Sequence, residues 1–241
     1  MKILAPRSLG GAAWIYVTSY GGGLVDGDDI ALEVAVGAGA AAYVTTQAST
    51  KVYPGSAGQS VTASVGAGGL LVSLPDPVVG FAGASYRQRT HVRLAASASL
   101  VWLESLTSGR AARGERWRFD AHRTHTAIDR DGRPLARDGL VLDASHGPIA
   151  ARLGTFDALA TLIVAGPACA ALRAHALAAT ASTGAVLVAP SPVADDAAVV
   201  RLAARAPEAL ARALARLLVP VADLLGEDPF ARKLVGDDAL H

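Results

Sequence analysis

Apolar and polar residues alternate from Ile30, with Ile30, Leu32, Val34 and Val36 on one face and Ala31, Glu33 and Ala35 on the other. This is the two-residue period of a half-buried strand. The strand ends in a small-residue break, Val36-Gly37-Ala38-Gly39-Ala40, and a second strand follows. The same layout recurs: Ile30 to Gln47, Gln59 to Asp76 and Arg89 to Leu106 each read as strand, break, strand. The later breaks are Val65-Gly66-Ala67-Gly68-Gly69 and Leu94-Ala95-Ala96-Ser97-Ala98, so positions 36, 65 and 94 are 29 residues apart both times. A fixed period of this size predicts stacked supersecondary units. The alanines between residues 35 and 70 would suit a helix, but the breaks carry five glycines from Gly37 to Gly69, and each costs a helix about 1 kcal/mol. Strands are expected there.

Glu115 to Ile128 alternates around Trp117 and Phe119, and Asp131-Gly132 supplies a hairpin turn before Leu140-Val141-Leu142. The β character is expected to run to about residue 165. Two helices follow. Pro167 opens Ala168 to Ala181, and Pro207 opens Glu208 to Leu225 with a stripe of Leu210, Leu214, Leu217 and Leu218, which Pro220 should kink or end. Strands are expected at 185–188 and 199–203. The fold class is therefore mainly β: β-helix-like stacked strands with two α-helices in the C-terminal part. We expect a single domain over residues 1–241, with a β-rich body over 1–165 and a mixed α/β part over 166–241.

Composition narrows the class further. A hydrophobic content of 51% and a mean hydropathy of +0.34 supply a substantial core in 241 residues. Net charge is +1, too even to indicate nucleic-acid binding. Charge is uneven locally, since Arg87 to Arg137 holds 11 Arg against 5 acids, enough to present a basic face to an acidic partner. The single cysteine, Cys169, allows no internal disulfide and suits the reducing cytoplasm. The apolar stretch Ala158 to Leu172 is interrupted by Gly166-Pro167 and falls short of the roughly 20 residues that span a bilayer. Neither a membrane segment nor a signal peptide is expected.

Catalytic signatures are weak. Gly21 to Asp28 lacks the Lys-Ser/Thr pair of a phosphate loop, and no G-x-S-x-G elbow occurs. His122 and His125 sit at an offset of three, which puts them on opposite faces of a strand. The acid pairs Asp120 with Asp129 and Glu104 with Glu115 leave open a β-solenoid carbohydrate-active enzyme as the alternative. Most unusual are the polar clusters within the strand pattern, Thr45-Thr46-Gln47, Ser49-Thr50-Lys51 and Gly109-Arg110. They are expected to close turns, line a polar channel or meet a partner.

Those clusters carry a resemblance. Gly22-Gly23-Leu24-Val25-Asp26-Gly27-Asp28, then Thr45-Thr46-Gln47-Ala48-Ser49-Thr50-Lys51-Val52-Tyr53, then Gly109-Arg110 with Gly114-Glu115, resemble in order and spacing the motifs of the UreD/UreH urease accessory proteins. Pro75 to Phe81 and Leu106 to Arg110 look like the plant and fungal branch of that family. The resemblance is strong over about residues 20–143. It implies a β-helix-like fold and a cytoplasmic, non-enzymatic scaffold that binds apo-urease and UreF and, through UreF, the GTPase UreG. It also implies nickel in transit through a polar internal tunnel, with no tightly bound cofactor. The matching residues Thr46, Gln47, Lys51, Tyr53, Gly109, Arg110 and Glu115 are candidates for tunnel lining or partner contact. Asp26, Asp28 and Glu115 offer oxygen donors for transient nickel.

Overall fold

The 29-residue period is a strand register. In this computed structural model, which describes residues 2–8, 10–18, 22–179 and 184–231, the repeats stack as parallel coils. The first coil contains β3 (Asp29–Val36), β4 (Ala41–Thr46) and β5 (Thr50–Val52). The second contains β6 (Gly55–Val65), β7 (Leu70–Ser73) and β8 (Val78–Gly80), and the third contains β9 (Ala84–Leu94) and β10 (Ser99–Thr107). Ile30 lies beside Gln59 and Gln59 beside Gln88, while Ala41 lies beside Leu70 and Leu70 beside Ser99. Each step is 29 residues, so the alternation of one coil falls in phase with the next and all inward side chains point to one interior. The breaks stack as well: the Gly39 amide donates to the Ala67 carbonyl at 2.9 Å. A Cβ on Gly66 would lie 2.7 Å from the Ala38 nitrogen, a close approach that only glycine permits.

Two sheets face each other. The five-stranded sheet has the order β12-β11-β9-β6-β3, with β11 (Ala121–Arg130) parallel to β9 and β12 (Arg133–Asp143) folded back by a hairpin. Its turn is Asp131-Gly132, with φ of 47° and 72°, the doubly left-handed form that matches strand twist. The ten-stranded sheet runs from β1 (Lys2–Leu4) and β2 (Ala13–Thr18) through β4, β7 and β10. It continues with antiparallel β13 (Ala158–Ala165), β15 (Ala197–Ala204) and β14 (Val186–Ala194), and β5 and β8 lie off this path. The fold is thus mainly β and β-solenoid-like. Strands expected at 185–188 and 199–203 coincide with parts of β14 and β15.

One expected strand is shorter than its alternation suggested. Of Glu115 to Ile128, only the part from Ala121 is extended in a sheet. Trp117 takes φ 54°, a left-handed conformation that ends regular pairing. Its indole N–H donates to the Phe156 carbonyl at 2.9 Å and its amide to the Ser108 carbonyl at 2.7 Å, and these contacts hold the turn.

Among the described residues there are four short helices: α1 (Ile149–Leu153), α2 (Ala170–Leu177), α3 (Pro207–Leu217) and α4 (Val221–Leu225). The first was not expected from the pattern. Pro167 opens a single 3-10 turn ahead of α2, and the end expected at Ala181 lies outside the described residues. Pro220 divides the second expected helix into α3 and α4, since it removes a helical donor and clashes with the preceding turn. Leu210, Leu214 and Leu217 of α3 and Leu172 of α2 join Val101, Leu103, Leu162 and Val200 in one apolar cluster on the outer side of the ten-stranded sheet. The face turned toward the five-stranded sheet holds two further clusters. One contains Val61, Val65, Leu71, Val92, Leu100 and Ile128, the other Leu24, Val52, Leu106, Phe119 and Leu142. No helix of the described residues is long and apolar enough to cross a membrane.

Candidate functional site

Between those two inner clusters the strands change chemistry without changing register. Along β9 the inward positions read Ala84, Tyr86, Gln88, Thr90, Val92 and Leu94, so two polar residues separate apolar ends. The neighbouring strands do the same. Gln59 of β6 and Thr124 of β11 lie beside Gln88, and Thr126 lies beside Thr90. From the opposite sheet, Glu104 enters this belt between Trp102 and Leu106. The belt borders a cavity of about 240 Å³ that both sheets line.

Glu104 is its hub. Its Oε1 accepts from Trp102 Nε1 at 3.1 Å, from Gln88 Nε2 at 3.2 Å and from the hydroxyls of Thr126 and Thr90. Tyr86 donates its hydroxyl to Gln88 Oε1 at 2.8 Å and lies 3.2 Å from Gln59 Oε1, which extends the network to a fourth strand. Burial raises the Glu104 carboxyl above its ordinary range, and the charge of Asp138 adds to that, against the pull of the Thr126, Trp102 and Thr90 bonds. Burial likewise holds the His122 imidazole down to about 4, so the ring is neutral and keeps a lone pair at neutral pH. Its ring centroid lies 5.4 Å from that of Tyr86. His125, three residues on, is exposed on the other face, as the strand period requires. Ser105, which alternates with Glu104 and so takes the face of Val101 and Leu103, has a buried hydroxyl with no hydrogen-bond partner among the described residues.

The cavity reaches the surface at the β4–β5 corner, where its lining residues Gln47, Ala48 and Lys51 are exposed. Thr46 holds this corner: its Oγ1 donates to Asp76 Oδ2 at 3.0 Å and accepts from the Asp76 amide at 2.8 Å. Three residues singled out from sequence, Thr46, Gln47 and Lys51, therefore meet at one mouth. The others gather elsewhere. Arg110 places its guanidinium 4.1 Å from the Phe81 ring centroid and donates from Nε to Glu115 Oε2 at 2.8 Å, and Tyr53 packs edge-to-face on Phe81 with ring centroids 5.1 Å apart. Hydrogen bonds from Arg110, together with one from the Ala82 amide, hold the Glu115 carboxyl below its usual range. Gly109 has φ 93°, and a Cβ there would lie 2.6 Å from the Gly80 carbonyl oxygen, so glycine is required.

Asp26 and Asp28 stabilise turns. Asp26 Oδ1 accepts from the Ser56 amide at 2.7 Å and Asp28 Oδ2 from the Val25 amide at 2.8 Å. Among the described residues no group of three or more His, Cys, Asp and Glu comes together as a closed metal site. The acid pairs considered for glycoside chemistry are also apart in their surroundings. Glu104 is interior while Glu115 is bound by Arg110. Asp120 precedes Asp129 by nine residues of extended chain, about 30 Å.

A family model described as UreD urease accessory protein matches residues 1–234. The chain belongs to the UreD urease accessory protein family. It is 50% identical over 239 residues to a urease accessory protein UreD of Sorangium cellulosum (strain So ce56), covering 97% of this chain and 76% of that one. It is 45% identical over 241 residues to the one of Anaeromyxobacter sp. (strain Fw109-5), covering 96% and 81%. A urease accessory protein D of Oryza sativa subsp. indica is 39% identical over 176 residues, covering 69% of this chain and 58% of its own. The residues singled out from sequence thus occupy three places in this fold, a cavity mouth, the Arg110–Phe81–Glu115 cluster and the turns held by Asp26 and Asp28. The interior belt of Gln59, Gln88, Thr90, Glu104, His122, Thr124 and Thr126 was missed by motif reading. A signal for it existed, because these residues stand at inward positions of an alternation whose other inward positions are apolar.

Proposed function

We propose that this chain is a non-catalytic, cytoplasmic scaffold for urease maturation, which binds apo-urease and UreF and, through UreF, the GTPase UreG. Nickel is its cargo, passing through the belt between the sheets on its way into the apo-enzyme. The observation that carries the reading is an interior cavity, open at the β4–β5 corner, lined by the carboxyls of Glu104, Asp138 and Asp76, one neutral imidazole and several hydroxyls and amides in a protein of the UreD family. Borderline divalent ions accept oxygen and imidazole donors, and donors presented singly let an ion move where a closed set would retain it. The mouth residues Thr46, Gln47 and Lys51 admit or discharge the ion. Lys51 stands there as a positive charge that disfavours a resting cation. The cluster of Tyr53, Gly109, Arg110 and Glu115 shapes a partner contact. Asp26, Asp28 and Glu115 offer carboxylate oxygens for transient contact outside the belt.

The test is co-expression with the urease subunits and UreF, scored by co-purification and by nickel-dependent urease activity. Activation lost when the chain is omitted, and lowered by Lys51→Ala or Arg110→Ala, is the expected result. Full activation without the chain, with no association, sinks the scaffold reading.

A further inference from the structure

The two sheets differ on their outer sides. Helices α2 and α3 cover the ten-stranded sheet, whereas the five-stranded sheet leaves its outward residues open. On that open face β9 carries Arg87, Arg89, His91 and Arg93, four basic side chains in a row on alternate residues. Neighbouring strands neutralise their own arginines: Arg123 pairs with Asp143 and Arg137 with Asp129, which also binds His91 at 2.7 Å. Arg87, Arg89 and Arg93 are exposed and have no carboxylate within ion-pair distance among the described residues. Like charges aligned on one strand repel, so this row is unfavourable for the isolated fold.

Beside the row runs a trough. Its floor is the outward side of β6, where Gly58, Ser60, Thr62 and Ser64 are all short. A Cβ on Gly58 would lie 3.4 Å from Arg87 Nη2 and 2.8 Å from Asp29 Oδ1, so the floor is lowest where the two walls lean over it. The far wall is the edge strand β3, carrying Asp29 and Glu33 outward. One wall is thus basic, the floor offers hydroxyls, and the acids stand on the opposite side.

We propose that this trough binds an extended acidic protein segment with carboxylates at alternate positions. Same-side residues of an extended chain repeat every ~6.6 Å, the step from Arg87 to Arg89 along β9, and Arg93 lies two such steps beyond Arg89 with His91 between, so a chain with carboxylates at alternate positions offers one to each guanidinium. Ser60, Thr62 and Ser64 bond the backbone lying over them. The acids of β3 set the segment's orientation, since they exclude carboxylates from that side. This surface is separate from the interior belt and does not depend on nickel transit.

The full chain is titrated, by fluorescence anisotropy, into a fluorescein-labelled peptide of Glu-Thr repeats, with a Lys-Thr peptide and an oligouridylate as comparison probes. The acidic peptide should bind, and binding should weaken by roughly tenfold or more in the variant Arg87→Ser/Arg89→Ser/Arg93→Ser and with added salt. An Arg205→Ser/Arg212→Ser control should bind as the parent does. Circular dichroism of the triple variant confirms that it is folded. No binding by the parent, equal loss in the control, or tighter binding of the oligouridylate through the same three arginines overturns the proposal.

Discussion

The space between the sheets is apolar at both ends and polar in the middle, and the backbone barely distinguishes the two regions. Leu71, Leu100 and Ile128 meet at one end, and Glu104, Gln88 and Thr126 meet a few residues away on the same strands or strands paired with them. A parallel stack supplies identical register to each rung, so side-chain identity alone separates an apolar layer from a polar one. The apolar layers hold the coils together, and the belt between them carries groups whose burial works against stability.

That contrast is broken most severely in the apolar layer. Leu100→Ala leaves a cavity at a fully buried position and is expected to destabilise by about 3 kcal/mol, read as a lower midpoint in urea. The next effect belongs to His122. Its imidazole is held down to about 4 in the fold, against about 6.5 in an unfolded chain. The unfolded state therefore takes up the proton first as pH falls, and stability present above pH 6.5 is lost between there and about 4, by about 3 kcal/mol. His122→Leu should flatten this acid limb in stability measured across that window.

Glu104 gives the opposite sign. Its folded-state pKa is raised, so its contribution is full below the unfolded pKa and is lost as pH climbs through the folded one. Glu104→Gln, which keeps an acceptor for Trp102 and the threonines, should therefore raise the thermal midpoint at pH 8 and leave it unchanged near pH 4. A lower midpoint at pH 8 would mean that the carboxylate is a structural necessity. The smallest effect is expected for Arg201→Ala. Arg201 is 58% exposed and bridges across the sheets to Asp138, whose side chain is 10% exposed; solvent screens the pair from the arginine side, and its loss is expected to cost about 1 kcal/mol.

Sequence and structure agree where a physical constraint repeats. The 29-residue period is legible because three glycine-rich or alanine-rich breaks recur in one phase, and that phase is the strand register. The hairpin at Asp131-Gly132 is legible because few residue pairs accept two positive φ values. Trp117 is the counter-example. Alternation around it suggested a strand, and the left-handed turn is imposed by contacts to Ser108 and Phe156, which are distant or unremarkable in sequence. The mouth residues Thr46, Gln47 and Lys51 were found through motif resemblance. The belt behind them needed the inward face of every coil at once, because Gln59, Gln88 and Thr124 become neighbours only through register.

The most direct test is the nickel content of urease purified after co-expression with the Glu104→Gln/His122→Leu variant, scored alongside co-purification of that variant. A folded variant that still associates with apo-urease while the enzyme's nickel per active site falls is what the passage account predicts. Full nickel loading by a variant lacking both donors would contradict it.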